Sequence, residues 1–274
     1  MTLEQYMREL WLMDKQYGQE EELYPLINML LRDGANTEKL SIRDVHKGQR
    51  IKTENKNMNV EQRKYIDGFG SFPDLAIFDE SFPEKENIDS NLQKIYGCVE
   101  AKCISQELIE CLDLNTIEII CEENKKNNEN EEISWINYYV KKKKPQKNET
   151  GGKAKDAGQL LGELLWYGKV LYTNGVIWKY YTLSKESGNK INGIRKDYIS
   201  NPPSKGEVGY KTWIFEQCKE TLLKIISADI GDLTEIYEKI KDKTSIPTFD
   251  SQDYDKWKKF KTNLATIDWT EVIF

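Results

Sequence analysis

Two short runs constrain this chain more than anything else in it: Phe72-Pro73-Asp74-Leu75-Ala76-Ile77-Phe78 and Tyr96-Gly97-Cys98-Val99-Glu100-Ala101-Lys102-Cys103. Both are apolar and rich in strand-favouring residues, and both carry charges that a buried strand does not choose. Asp74 opens the first run. Glu100 and Lys102 sit two apart on the second, so their side chains leave the same face of a strand. If the two strands pair, all three side chains converge. Two carboxylates meeting at one point suit a hard divalent cation with oxygen ligands, such as Mg²⁺. With a lysine beside them they form a set fit to hydrolyse a phosphodiester.

The order Pro73-Asp74, spacer, Glu100-Ala101-Lys102 resembles the active-site motif of the PD-(D/E)xK nuclease superfamily, which has the restriction-endonuclease-like fold. Glu54-Asn55-Lys56 and Glu123-Asn124-Lys125 share the spelling, but both lie in polar, Asn-rich stretches. Only the Glu100 triplet stands inside an apolar strand. A second point of resemblance follows it: a helix carrying Gln159, then a strand, then Thr173-Asn174-Gly175-Val176-Ile177-Trp178. That succession is similar to the N-terminal nuclease domain of type I restriction-enzyme R subunits and to related stand-alone restriction-type nucleases. The resemblance runs over residues 19–183 and takes in Leu26-Ile27-Asn28-Met29-Leu30-Leu31 as a first core helix. It departs in two places. The insertion at 104–152 is long, and Gln159 is followed four residues on by Glu163, not by a tyrosine; Tyr167 comes later.

The resemblance implies a fold and a chemistry. The fold is α/β, a mixed central sheet flanked by helices in a restriction-endonuclease-like core, with an inserted hairpin and a C-terminal helical region. The chemistry is hydrolysis of DNA phosphodiester bonds, of restriction or defence type. Asp74, Glu100 and the backbone carbonyl of Ala101 would hold Mg²⁺, with Mn²⁺ able to substitute. Lys102 would orient water and steady the charge on the transition state. Glu20 and Gln159 are the additional site candidates. The partner would be nucleic acid, double-stranded DNA first, with a homodimer as the form that cuts both strands. The alternatives are a nuclease-fold module that has lost cleavage and binds DNA or protein, and a junction resolvase or RNase of the same fold.

Along the chain, residues 2–17 predict an amphipathic helix with Leu3, Met7, Leu10 and Met13 on one side. A second helix is expected over 19–33, ending at Gly34. Its three leading acids suit a helix N-terminus, and of these Glu20 lies nearest the Leu23/Ile27 face. Ser41–Val45 reads as a short strand and 79–94 as a polar connection. Inside the insertion, Ser105–Cys111 reads as a short helix. Thr116–Ile120 and Ile133–Val140 read as a hairpin with a mobile Glu122–Glu132 link. Lys141, Lys142, Lys143 and Lys144, with Lys153 and Lys155, are the nucleic-acid-binding candidates. Residues 153–168 predict a helix, and Asn174-Gly175 between two apolar runs predicts a hairpin. Asn201-Pro202-Pro203 marks a boundary between a core of 1–200 and a C-terminal region of 201–274. Helices are expected there at 211–226, 230–242 and 252–264.

Other classes are excluded by what is lacking. No P-loop, helicase motif or internal repeat occurs. The single His46 supports neither a serine-type triad nor a multi-histidine metal site. The five cysteines form no CxxC pair, and with no signal-peptide pattern they are expected as reduced thiols in a cytoplasm. No apolar run reaches the length of a membrane span. The net charge of −6 means that a nucleic-acid surface would have to be local, from clustered lysines.

Overall fold

The computed structural model describes residues 1–16, 18–34, 37–45, 65–66, 69, 73–83, 87–109, 112, 117–128, 131–142, 151–200 and 223–274. Over 117–128, 131–142, 151–155 and at 158 it describes the backbone alone. Helix α1 (Leu3–Gln16) buries Leu3, Tyr6, Met7, Leu10 and Met13, a stripe at helical spacing. Gly18 stops it: at φ +60° its N–H closes back on the Met13 carbonyl at 2.8 Å. A 3₁₀ turn (Glu20–Glu22) leads into α2 (Leu23–Arg32). Strands β1 (Leu40–Asp44) and β2 (Leu75–Asp79) follow, then α3 (Ile88–Gln93) and β3 (Ile95–Ala101). The hairpin β4 (Ile117–Asn128) and β5 (Glu131–Lys142) precedes α4 (Gly151–Tyr167), β6 (Lys169–Thr173), β7 (Ile177–Leu183) and α5 (Lys185–Ser200). The chain ends with β8 (Ile225–Asp232), α6 (Thr234–Glu238) and α7 (Ser251–Ala265).

Six strands form one mixed, open sheet in the order β1-β2-β3-β6-β7-β8. All neighbours are antiparallel except β3 and β6, which run parallel. A parallel pair needs a crossover, and α4 supplies it. The sheet is covered on both faces, as its strand pattern demands. Leu75, Ile77, Val99, Ala101 and Leu171 point into a core shared with α1, α2 and α7. The alternate residues Ala76, Phe78, Cys98, Val170 and Tyr172 point into a second core with α4 and α5. The β4–β5 hairpin is a separate two-stranded sheet inserted between β3 and α4.

Several expectations are corrected. The C-terminal region is not purely helical: Ile225–Asp232, where one expected helix ends and another begins, is a strand on the open edge of β7. Unpaired backbone groups on that edge make it the natural place for an added strand. Only Thr234–Glu238 of the expected 230–242 helix is helical, while the third expected helix stands as α7. Its start is fixed by the Asp250 carboxylate, which accepts from the N–H groups of Gln252 and Asp253. Helix α5 is not foreseen from the sequence; Gly188 and Gly193 lower its propensity, and it forms because Ile191, Arg195 and Ile199 are buried at spacings of four. Of the expected mobile Glu122–Glu132 link, Glu122–Asn128 and Glu131–Glu132 are paired strand, and 129–130 lie outside the described residues. No helix forms over Ser105–Ile109. That segment is instead tied down by the Asn174 side-chain amide, which donates to the Gln106 carbonyl at 2.9 Å. The polar connection at 79–94 contains α3, capped by Asn87. The boundary at Asn201-Pro202-Pro203 and the span 211–222 lie outside the described residues. No helix among the described residues is long and apolar enough to cross a membrane.

Candidate functional site

Strand pairing brings Asp74 to the end of β3. Leu75 lies opposite Val99 across the antiparallel β2–β3 pair. Asp74 extends that ladder by one residue: its N–H donates to the Val99 carbonyl at 3.1 Å, and its own carbonyl accepts from Val45 N–H at 3.1 Å. With the backbone held on both sides, the carboxylate is fixed too. Oδ2 accepts from the Ala101 N–H at 2.7 Å and Oδ1 from the Tyr24 hydroxyl at 2.5 Å. On the parallel side, Glu100 lies beside Tyr172, and the Lys102 N–H donates to the Thr173 carbonyl at 2.8 Å. The loop after Lys102 is anchored by Asn174 and by Gln106, whose amide donates to Asp156 at 2.8 Å. The Lys102 ammonium ion-pairs with Glu100 Oε1 and lies 3.9 Å from Glu20 Oε2. The three residues singled out by the two strand motifs therefore do stand together, and Glu20 with them. They gather at the carboxyl end of β3, beside its parallel neighbour β6, a place where open α/β sheets hold ligands.

Glu20 reaches the site because the 3₁₀ turn delivers it. The Gln19 N–H donates to Glu22 at 3.2 Å, which tightens the turn. Glu20 Oε1 then lies 3.4 Å from the hydroxyl of Tyr24, one turn further on. Tyr24 thus links two of the acids, a role that its place on the apolar face of α2 conceals in the sequence.

Two residues come from α4. Glu163 is fully buried. Its carboxyl is close enough to Glu100 and Gln159 to be biased by both, yet neither of its oxygens has a well-formed hydrogen bond. Glu100 Oε2 also lacks a partner. Gln159, a candidate from the sequence, bears on this cluster through Glu163. Sequence reasoning misses Glu163, although one signal points to it: it is the only charged residue between Leu160 and Tyr167.

Four carboxylates therefore face one ammonium. Burial pushes Glu100 well above the carboxylate range, and the neighbouring Glu163 and Asp74 push it further; Lys102 acts in the opposite direction. Burial lifts Glu163 to about 8. Burial and Asp74 lift Glu20 to about 7. Burial works against the Lys102 ammonium, but Glu100, Glu20 and Asp74 outweigh it and hold the amine above its usual value.

The donor set is of the kind a hard cation takes. It consists of carboxylate oxygens, and three buried ones (Glu100 Oε2 and both of Glu163) have no well-formed hydrogen bond among the described residues. In the conformation described, Asp74 and Lys102 are engaged with protein partners, and among the described residues no group of three or more Asp, Glu, His or Cys side chains is placed to hold a metal ion as it stands. Lys141 and Lys142 lie at the end of β5, and Lys153 and Lys155 in the first turns of α4, all with side chains outside the described set. Lys143 and Lys144 lie outside it altogether. No family model, no curated protein and no solved structure matches the chain.

Proposed function

We propose that this chain is a metal-dependent nuclease with a restriction-endonuclease-like core, hydrolysing phosphodiester bonds of DNA in a restriction or defence role. One observation carries the reading: Asp74, Glu100 and Lys102, from two paired strands, meet at the carboxyl end of β3 together with Glu20. Asp74, Glu100 and the carbonyl of Ala101 would hold Mg²⁺, or Mn²⁺ in its place. When bound, the cation supplies positive charge to the phosphate and lowers the pKa of water. The protein does the rest. The Ala101 N–H and Tyr24 hydroxyl keep the Asp74 carboxylate in one orientation. Lys102, charged at neutral pH, orients the attacking water and offsets charge that develops on the phosphate. Double-stranded DNA is the substrate this reading favours, with the lysines near the hairpin and α4 as backbone contacts and a homodimer as the form cutting both strands.

A second reading, a module of the same fold that binds without cutting, draws on the internal engagement of Asp74 by Tyr24 and of Lys102 by Glu100. Incubation with supercoiled plasmid, single-stranded DNA and RNA, each with Mg²⁺ or chelator, separates the readings. The nuclease reading expects Mg²⁺-dependent cleavage of plasmid. Lys102→Ala should lower the rate by about 10²-fold or more with the melting temperature retained. Retention of the DNA without cleavage would favour the binding module, and cleavage of RNA alone would move the substrate.

A further inference from the structure

Building on the nuclease reading, we propose that Glu163 is itself a cation ligand, delivered by α4 to the same site. Its carboxyl is fully buried, and the same face of α4 presents Leu160 and Leu164, both with no exposure. A carboxylate in such surroundings without a well-formed hydrogen bond is costly, and an apolar residue of similar size would pack there at lower cost. The Lys102 ammonium compensates it only in part, because that group is committed to Glu100 Oε1 and faces Glu20. Gln159 and a proton shared with Glu100 are within reach of Glu163, yet none of the three oxygens concerned has a well-formed hydrogen bond among the described residues. A hard divalent cation with several oxygen ligands meets all three needs at once. The position is also where this helix departs from the glutamine-then-tyrosine pattern, with an acid four residues after Gln159. Glu163 thereby couples α4 to β3 through the cation, so that cation uptake should stiffen the crossover between the parallel strands.

The test is a Mn²⁺ titration of the full chain after chelator treatment, reading free Mn²⁺ by electron paramagnetic resonance and melting temperature with and without Mn²⁺. The wild type should take up Mn²⁺ and melt higher with it. Glu163→Gln should bind about tenfold more weakly or worse. It should also lose the Mn²⁺-induced rise in melting temperature, while melting without metal at or above the wild-type value. Asp74→Asn is the reference for the site as a whole and should lose binding too. If Glu163→Gln binds Mn²⁺ as the wild type does while Asp74→Asn does not, Glu163 is no ligand and the nuclease reading stands. If the wild type takes up no Mn²⁺, that reading fails and this inference with it. Should Glu163→Gln not fold, Glu163→Asp decides: unchanged affinity overturns the assignment, and a clear weakening sustains it.

Discussion

At the scale of single residues, the site is held by Tyr24 as much as by its acids. The phenol donates to Asp74 at 2.5 Å and lies within reach of Glu20, and burial, together with both acids, pushes its own pKa upward. It therefore remains a neutral donor. Removing the hydroxyl while keeping the ring leaves a buried carboxylate oxygen short of its partner, and hydrogen bonds to charged groups contribute about 1.5–3 kcal/mol. Tyr24→Phe should lower the stability of the metal-free protein by roughly that amount in urea unfolding. An unchanged unfolding midpoint would mean that Tyr24 merely packs beside Asp74.

At the scale of elements, the legible parts of the fold are those whose local signals and tertiary setting agree. The alternation in β2 and β3, the Leu stripe of α4 and the Asn174-Gly175 turn each state in the sequence what the packing requires. The Glu-x-Lys triplet is legible for a related reason, since a charge inside an apolar strand is costly unless a partner or ligand meets it there. What stays hidden depends on partners distant in sequence. β8 is a strand because β7 offers an edge, not because Ile225–Asp232 has a strand pattern; four consecutive residues of it are exposed. Glu163 is marked by its neighbours across the sheet, and Tyr24 by an acid fifty residues away. The β4–β5 hairpin gives an element-scale prediction. Ile117 and Lys142 are paired across its base, so the chain ends that it leaves lie side by side. Replacing 117–142 by a short Gly/Ser linker should therefore close the gap with little strain and leave the melting temperature of the six-stranded core within a few degrees. Loss of cooperative melting would show that the hairpin is part of the core.

At the scale of the molecule, the C-terminal region completes the fold. β8 extends the sheet beyond β7, α7 packs against the first core, and the last residues return across β3 and β6. Trp269 lies so close over Gly97 that a Cβ there would come within 2.6 Å of its ring. The Lys169 ammonium donates to the backbone carbonyls of Asp268, Trp269 and Glu271. The Phe274 ring lies 3.7 Å from the buried Arg195 guanidinium. Removing 267–274 would take away Ile267, Trp269 and Ile273, each buried, uncover the surface they cover, and strip Lys169 of these three acceptors. At about 1.5–3 kcal/mol per large apolar side chain, the loss should be about 5 kcal/mol or more, comparable to the whole stability of an ordinary domain. The truncated chain should melt far below the full one by circular dichroism, and coincident melting curves would refute this account of the tail.

All of this bears on one claim, that the acids gathered at the end of β3 hold a divalent cation. Anomalous diffraction at the manganese edge, from a crystal grown with Mn²⁺, tests it most directly. The account predicts a peak at about 2.0–2.3 Å from carboxylate oxygens of Asp74 and Glu100. A map in which Lys102 keeps its pair with Glu100 and no peak lies among these side chains would contradict it.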